Sequence, residues 1–207
     1  MSKKLYYYYG TMNSGKSLQL LATAHNFQEK KIPFIILKSE IDDRDGEDVI
    51  HSRALGDREC VTIKKTTNLY KLIVTMLNVN AAAYKPLLKW VLVDESQFLT
   101  KEQVDQLAAV VDKFDVSVMC YGLRTDFQTH LFEGSKRLFE VADTLVEIKS
   151  SCECDTKTIF NARVDKNGNV VTEGEQIEVG GDDRYVSMCR KCFYDKTKNP
   201  LYVRKDQ

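Results

Sequence analysis

The chain has 207 residues, 43% of them apolar and 29% charged, and its thirty basic side chains balance thirty acidic ones. That length holds one domain with a sizeable core, or one domain with a small appendage. The neutral total gives no electrostatic footing for broad nucleic-acid or membrane binding, and no run of eighteen apolar residues is present to span a bilayer.

In chain order, Met1-Ser2-Lys3-Lys4 lacks the long apolar stretch of a signal peptide, so a cytoplasmic protein is expected. A disulfide framework is not expected there, and the six cysteines ask for another explanation. LYYYY (5–9) reads as a strand, and 16–30 as a helix with Leu18, Leu21, Ala22 and His25 at helical spacing. Pro33 starts a second apolar run, PFIILK, which ends in SEIDDRDGED. So charged a stretch cannot bury a face, which predicts a loop over 39–52. CVTIKK suits a strand and TNLYKLIVTML a helix, with Thr66 or Thr67 as the N-cap. Val91-Leu92-Val93 is the continuous apolar run of a parallel strand covered on both faces. Thr100 with Gln103 three residues on signals the start of another helix. VSVMCYG (116–122) and TLVEIK (144–149) add two more strands. Strands alternating with helices over 1–150 imply an α/β fold, a parallel sheet with helices on both faces.

After Lys149 the composition changes. Residues 150–207 carry four cysteines and no long helical pattern, and Asn167-Gly168 marks a hairpin turn between FNARV and NVVTE. The expected division is a 1–149 α/β domain and a 150–207 β-type appendage, too small to be stable without a staple.

Three constellations carry chemistry. Gly10-Thr11-Met12-Asn13-Ser14-Gly15-Lys16-Ser17 matches the phosphate-cradling pattern G-x-x-x-x-G-K-[ST]. Its glycines let the backbone curl so that several N–H groups face one anion, beside a helix N-terminus. Lys16 would reach the β- and γ-phosphates and Ser17 would hold Mg²⁺; the bland alternative is an ordinary glycine-rich turn. The second is Asp94-Glu95 after the apolar run. Asp94 fits the acidic residue that holds magnesium in P-loop proteins, and Glu95 the carboxylate that takes a proton from an attacking hydroxyl; alternatively Glu95 opens a solvated loop. The third is Cys152 and Cys154 with Cys189 and Cys192, whose four thiolates suit structural Zn²⁺. Buried unpaired thiols or a redox pair remain alternatives. Cys60 and Cys120 lie in strand-like runs and suit the core, and His25, His51 and His130 form no ligand spacing.

These pieces, with IDDR (41–44), VLVDESQF (91–98), YGLRTDF (121–127) and EVGGDDRYVSMCRKC (178–192), resemble the zinc-containing thymidine kinase family, the type found in many bacteria and as the cytosolic animal enzyme. The resemblance implies a RecA-like P-loop domain plus a small C-terminal zinc-binding domain. It implies transfer of the γ-phosphate of ATP to the 5′-hydroxyl of thymidine or deoxyuridine, with Mg²⁺ and structural Zn²⁺, and Glu95 as general base. Arg44 would help neutralise phosphate, and Asp42 would lie near the metal. Gln97 and Phe98 would lie near the nucleoside, whose pyrimidine sits in an apolar pocket corresponding to Met12, Leu123, Phe127 and Phe132. A lasso loop over about 173–187, containing Val179, Gly180 and the aromatic Tyr185, would close over the base. The family implies a homotetramer inhibited by thymidine triphosphate, and no direct nucleic-acid or membrane partner.

The residues also bear on the alternatives. Phe98, Phe127 and Phe132 suit a plain core equally well. RTDF after Leu123 stands where other members read DGTF, so no role passes to Arg124 or Asp126. One competing reading is a P-loop ATPase that moves nucleic acid with the cysteine module as its grip, although no basic stripe interleaved with aromatics is present. Another is a non-catalytic nucleotide sensor.

Overall fold

A computed structural model describes residues 3–41, 49–52, 56–83, 87–176 and 184–198. Among these, β1 (Leu5–Gly10), β2 (Phe34–Ser39), β5 (Val61–Ile63), β6 (Trp90–Asp94), β7 (Ser117–Leu123) and β8 (Thr144–Ile148) form one sheet in the order β5-β2-β6-β7-β1-β8. Every pairing in it is parallel. The helices α1 (Lys16–Glu29), α2 (Leu69–Ala82), α3 (Lys101–Lys113) and α4 (Glu133–Val141) connect the strands. Central strands need apolar side chains on both faces: Val91, Leu92 and Val93 are fully buried, with Val91 and Val93 in the larger core cluster and Leu92 in the other.

Four consecutive tyrosines persist in a central strand because their environments differ. Tyr7 lies fully in the core and donates its hydroxyl to the Leu123 carbonyl at 2.8 Å, while Tyr8 stacks on Tyr121 with centroids 4.7 Å apart. Burial drives the Tyr7 hydroxyl pKa well above its ordinary value.

Several local expectations change. α1 buries Leu20, Leu21 and Ala24 and leaves Leu18 47% exposed, so its core face is turned from the predicted stripe. α2 is capped by Asn68, whose side chain accepts from Lys71 N–H, while the Thr67 hydroxyl accepts from Lys64 N–H before the helix. The expected 39–52 loop contains β3 (Val49–Ser52), paired antiparallel with β4 (Gly56–Glu59). Ile50 anchors that ribbon in the second core cluster, an apolar side chain at the far end of the charged run. The Thr100–Gln103 capping box forms as expected.

The remaining strands, β9 (Phe160–Val164), β10 (Val170–Val171) and β11 (Tyr185–Met188), make a separate antiparallel sheet in the order β10-β9-β11. The β9–β10 turn contains Gly168 at φ +80°, the left-handed backbone the Asn-Gly pair predicts. This sheet and α5 (Arg190–Lys196) share a small core of Phe160, Ala162, Met188 and Phe193 with Cys152 and Cys189.

Candidate active site

β1 ends at Gly10, where an added Cβ would lie 2.5 Å from Ser14 Oγ and 2.7 Å from the Ile148 carbonyl, so only glycine lets the loop leave so tightly. The loop curls through two left-handed residues, Asn13 at φ +57° and Gly15 at φ +87°, and α1 begins at once. Lys16 is buried, with its ammonium on the Thr11 carbonyl at 2.7 Å inside the curl. Ser14 Oγ is buried and has no protein partner.

Asp94 and Glu95 follow β6. Asp94 Oδ1 accepts from Glu95 N–H at 3.0 Å and from Ser17 Oγ at 3.4 Å. The Ser17 hydroxyl and the Asp94 carboxylate are both hard oxygen donors, the ligand chemistry that Mg²⁺ takes. Burial, and then the Glu95 charge, pushes Asp94 up to about 7. Glu95 is 8% exposed and adopts left-handed φ +48°, ψ +40°, a conformation costing a non-glycine residue roughly 1–2 kcal/mol. Such an outlier persists where the surroundings impose it. Here the Gln97 amide donates to the Glu95 carboxylate while its Oε1 accepts from Leu123 N–H at 2.9 Å. Ser96 Oγ donates to the Tyr121 carbonyl at 2.9 Å. Gly122 makes room: a Cβ there would lie 2.6 Å from Ser96 Oγ and 2.8 Å from Gln97 Oε1.

Of the expected nucleoside residues, Phe98 and Phe132 meet edge to face at 5.8 Å. Phe127 is buried beneath the Arg163 guanidinium, 3.7 Å from its ring centroid, and Arg163 Nε donates to the Tyr185 hydroxyl at 3.1 Å. Met12 is tied to the same region, since Asn161 Oδ1 accepts from Met12 N–H at 2.7 Å while Asn161 Nδ2 donates to the Thr125 carbonyl at 3.1 Å. Asp42, Arg44, Val179 and Gly180 lie outside the described residues.

The sequence reading missed how closely the second sheet grips the P-loop. Ser187 Oγ donates to the Met12 carbonyl at 2.8 Å, and the Thr11 hydroxyl bonds those of Ser150 and Thr158 at 2.8 and 2.9 Å. These contacts join residues 139 to 175 positions apart, beyond any spacing pattern.

The four cysteines converge, their sulfurs all within 4.8 Å of one another. Cys154 lies 3.6 Å from Cys189 and 3.5 Å from Cys192, close to the roughly 3.8 Å edge of a zinc–thiolate tetrahedron with 2.3 Å bonds. Cys192 N–H also donates to Cys189 Sγ. The Thr156 hydroxyl and the flanking thiols lower Cys154 to about 6, while Cys192, bonded to Cys154 and Cys189, is pushed up to about 12. Cys154 is thereby favoured as a thiolate and Cys192 as a thiol, so binding zinc on all four sulfurs would release a proton from Cys192.

The thymidine kinase family model matches residues 3–193. A thymidine kinase of Coxiella burnetii is 45% identical over 190 residues, spanning 92% of this chain and 94% of that one. One from Vibrio vulnificus is 46% identical over 190 residues, 92% and 96% of the two chains, and one from Haemophilus influenzae 44% over 193 residues, 93% and 97%. Among solved structures, the Pif1 helicase of Candida albicans matches 72% of this chain and 36% of that one at 13% identity, with a TM-score of 0.44, a likeness too distant to carry an argument.

Proposed function

Since the chain belongs to the thymidine kinase family, ATP-dependent phosphotransferases that phosphorylate thymidine for salvage, we propose a division of that work among its residues. The observation that carries it is Glu95, held in left-handed backbone beside the Asp94–Ser17 pair, with its carboxylate bonded by Gln97.

Residues 10–17 cradle the triphosphate of ATP, with Lys16 turning from the Thr11 carbonyl to the β- and γ-phosphates. Arg44 adds charge to the same phosphates. Ser17 and Asp94, with Asp42 nearby, are the residues that would hold Mg²⁺, which when bound neutralises charge on the β- and γ-oxygens. The nucleoside lies between Met12, Leu123, Phe127, Phe132 and Tyr185, with Gln97, Phe98, Val179 and Gly180 around it. Its 5′-oxygen attacks the γ-phosphorus as the bond to the bridging oxygen of ADP breaks, and Glu95 accepts the hydroxyl proton. Because the transition state is loose, the carboxylate acts mainly by orienting the hydroxyl and taking the proton late.

Zinc on Cys152, Cys154, Cys189 and Cys192 braces the second sheet, giving a two-part division at 1–149 and 150–207. Deoxyuridine is the second acceptor, thymidine triphosphate the feedback inhibitor, the homotetramer the working assembly and the cytoplasm its place. No helix among the described residues is long and apolar enough to cross a membrane.

Incubation with labelled ATP, Mg²⁺ and each deoxynucleoside in turn is expected to place label on thymidine and deoxyuridine alone; single-stranded DNA stimulating hydrolysis instead would overturn the reading. Glu95→Gln is expected to lose at least about a hundredfold in kcat while still binding ATP. Near-parental turnover would remove Glu95 as base.

A further inference from the structure

Asp126 lies in the stretch that follows β7, and no part of the mechanism above uses it. It is 3% exposed, and a carboxylate so deeply buried must be satisfied by hydrogen bonds. Oδ1 accepts from the N–H groups of Gln128 and His130, both at 2.9 Å, closing the turn that follows Phe127. Oδ2 accepts from Gln176 Nε2 at 2.7 Å, fifty residues along the chain.

Gln176 belongs to the arm 172–176, where the chain leaves β10, and two further side chains hold that arm. Gln128 Nε2 donates to the Thr172 carbonyl at 3.3 Å, and Arg163 Nη2 donates to the Glu175 carbonyl at 2.9 Å. The arm passes tightly over the guanidinium: Gly174 adopts φ +128°, and a Cβ there would lie 3.3 Å from Arg163 Nη1. The same guanidinium covers the Phe127 ring and bonds the Tyr185 hydroxyl.

We propose that Asp126 and Arg163 are positioning residues of the nucleoside site, a clamp whose carboxylate holds Gln176 and whose guanidinium holds Glu175, Phe127 and Tyr185, so that arm and aromatic wall take one fixed relation. Both jaws use charge-assisted hydrogen bonds from buried charged groups, Asp126 at 3% and Arg163 at 5% exposed, to the exposed arm. The clamp touches neither Lys16, Asp94 nor Glu95 through any contact described above, so its influence falls on the nucleoside rather than on ATP. It rests on the assignment of Phe127 and Tyr185 to the nucleoside site.

Steady-state kinetics with both substrates, alongside thermal melting, tests it. Asp126→Ala, Gln176→Ala and Arg163→Lys are each expected to raise the thymidine KM about tenfold while the ATP KM stays within about twofold. Because the first two remove the same bond, the double variant is expected to lie within about twofold of Asp126→Ala. Gln176 is exposed, so its truncation empties no core and remains readable if Asp126→Ala fails to fold. Thymidine and ATP KM values rising in parallel, a lowered Tm with neither KM moved, or full additivity of the pair would overturn the clamp. Phe127→Ala separates the two levels: if it leaves the thymidine KM unmoved, the pocket assignment falls and the clamp with it. If it raises that KM while Asp126→Ala and Gln176→Ala do not, the clamp alone falls.

Discussion

Asp94 carries a cost that its position makes unavoidable. Its carboxyl is protonated in folded and unfolded chains alike below the ordinary value of 3.8, so there it takes nothing from stability. As pH rises toward about 7 the unfolded chain ionises first, and the fold loses stability until the buried group ionises too. The full penalty, present above about pH 7, is on the order of a few kcal/mol. Asp94→Asn keeps an oxygen for Glu95 N–H and removes the charge. The melting temperature of that variant minus the parent's, measured without metal, is therefore expected to climb by several degrees from pH 4 to pH 8. A flat difference would show that Asp94 is not the strained group. The penalty is tolerable in a protein whose task is to gather positive charge around a triphosphate.

Among the elements, the turn 95–97 is set from outside by β7. Gly122 lets Ser96 and Gln97 come against the strand, and Gln97 in turn holds the Glu95 carboxylate. Gly122→Ala is expected to destabilise by about 1–3 kcal/mol through overpacking and to lower kcat by displacing Gln97; unchanged melting and turnover would show that the turn yields freely. The same contrast explains what the sequence made legible. The P-loop, the β6 run with its two carboxylates, the capping box and the Asn-Gly hairpin depend on residues within one short stretch, so spacing alone reveals them. The face of α1 was misread because apolar residues at 18, 20, 21, 22 and 24 permit more than one stripe, and only packing chooses. β3 was missed because Ile50, which anchors it in the core, follows a charged run. Asn161, Arg163 and Asp126 have no local signature: each earns its place through partners far along the chain.

For the whole molecule, the second sheet and the P-loop form one mechanical unit. β9 reaches Met12 through Asn161, β11 reaches it through Ser187, and β11 runs directly into Cys189. Stripping metal with a chelator, or Cys189→Ser, is expected to lower the melting temperature and to weaken ATP binding about tenfold or more, although no cysteine lies on the P-loop. Full ATP affinity in metal-free protein would show the two parts to be independent. The topology also imposes an order on biosynthesis. β1 lies between β7 and β8, so Leu5 has its register neighbour Val118 and Tyr6 has Thr144 on its other side. At about 5–20 residues per second, translation takes roughly 7 to 28 s to pass from the first strand to the last strand of this sheet. Until β7 is made the nascent tyrosine strand has neither lateral partner, until β8 it has only one, and the latch at Ser187 emerges later still. Nucleotide capture therefore becomes available only near the close of synthesis, and polypeptides released early should remain unable to bind it.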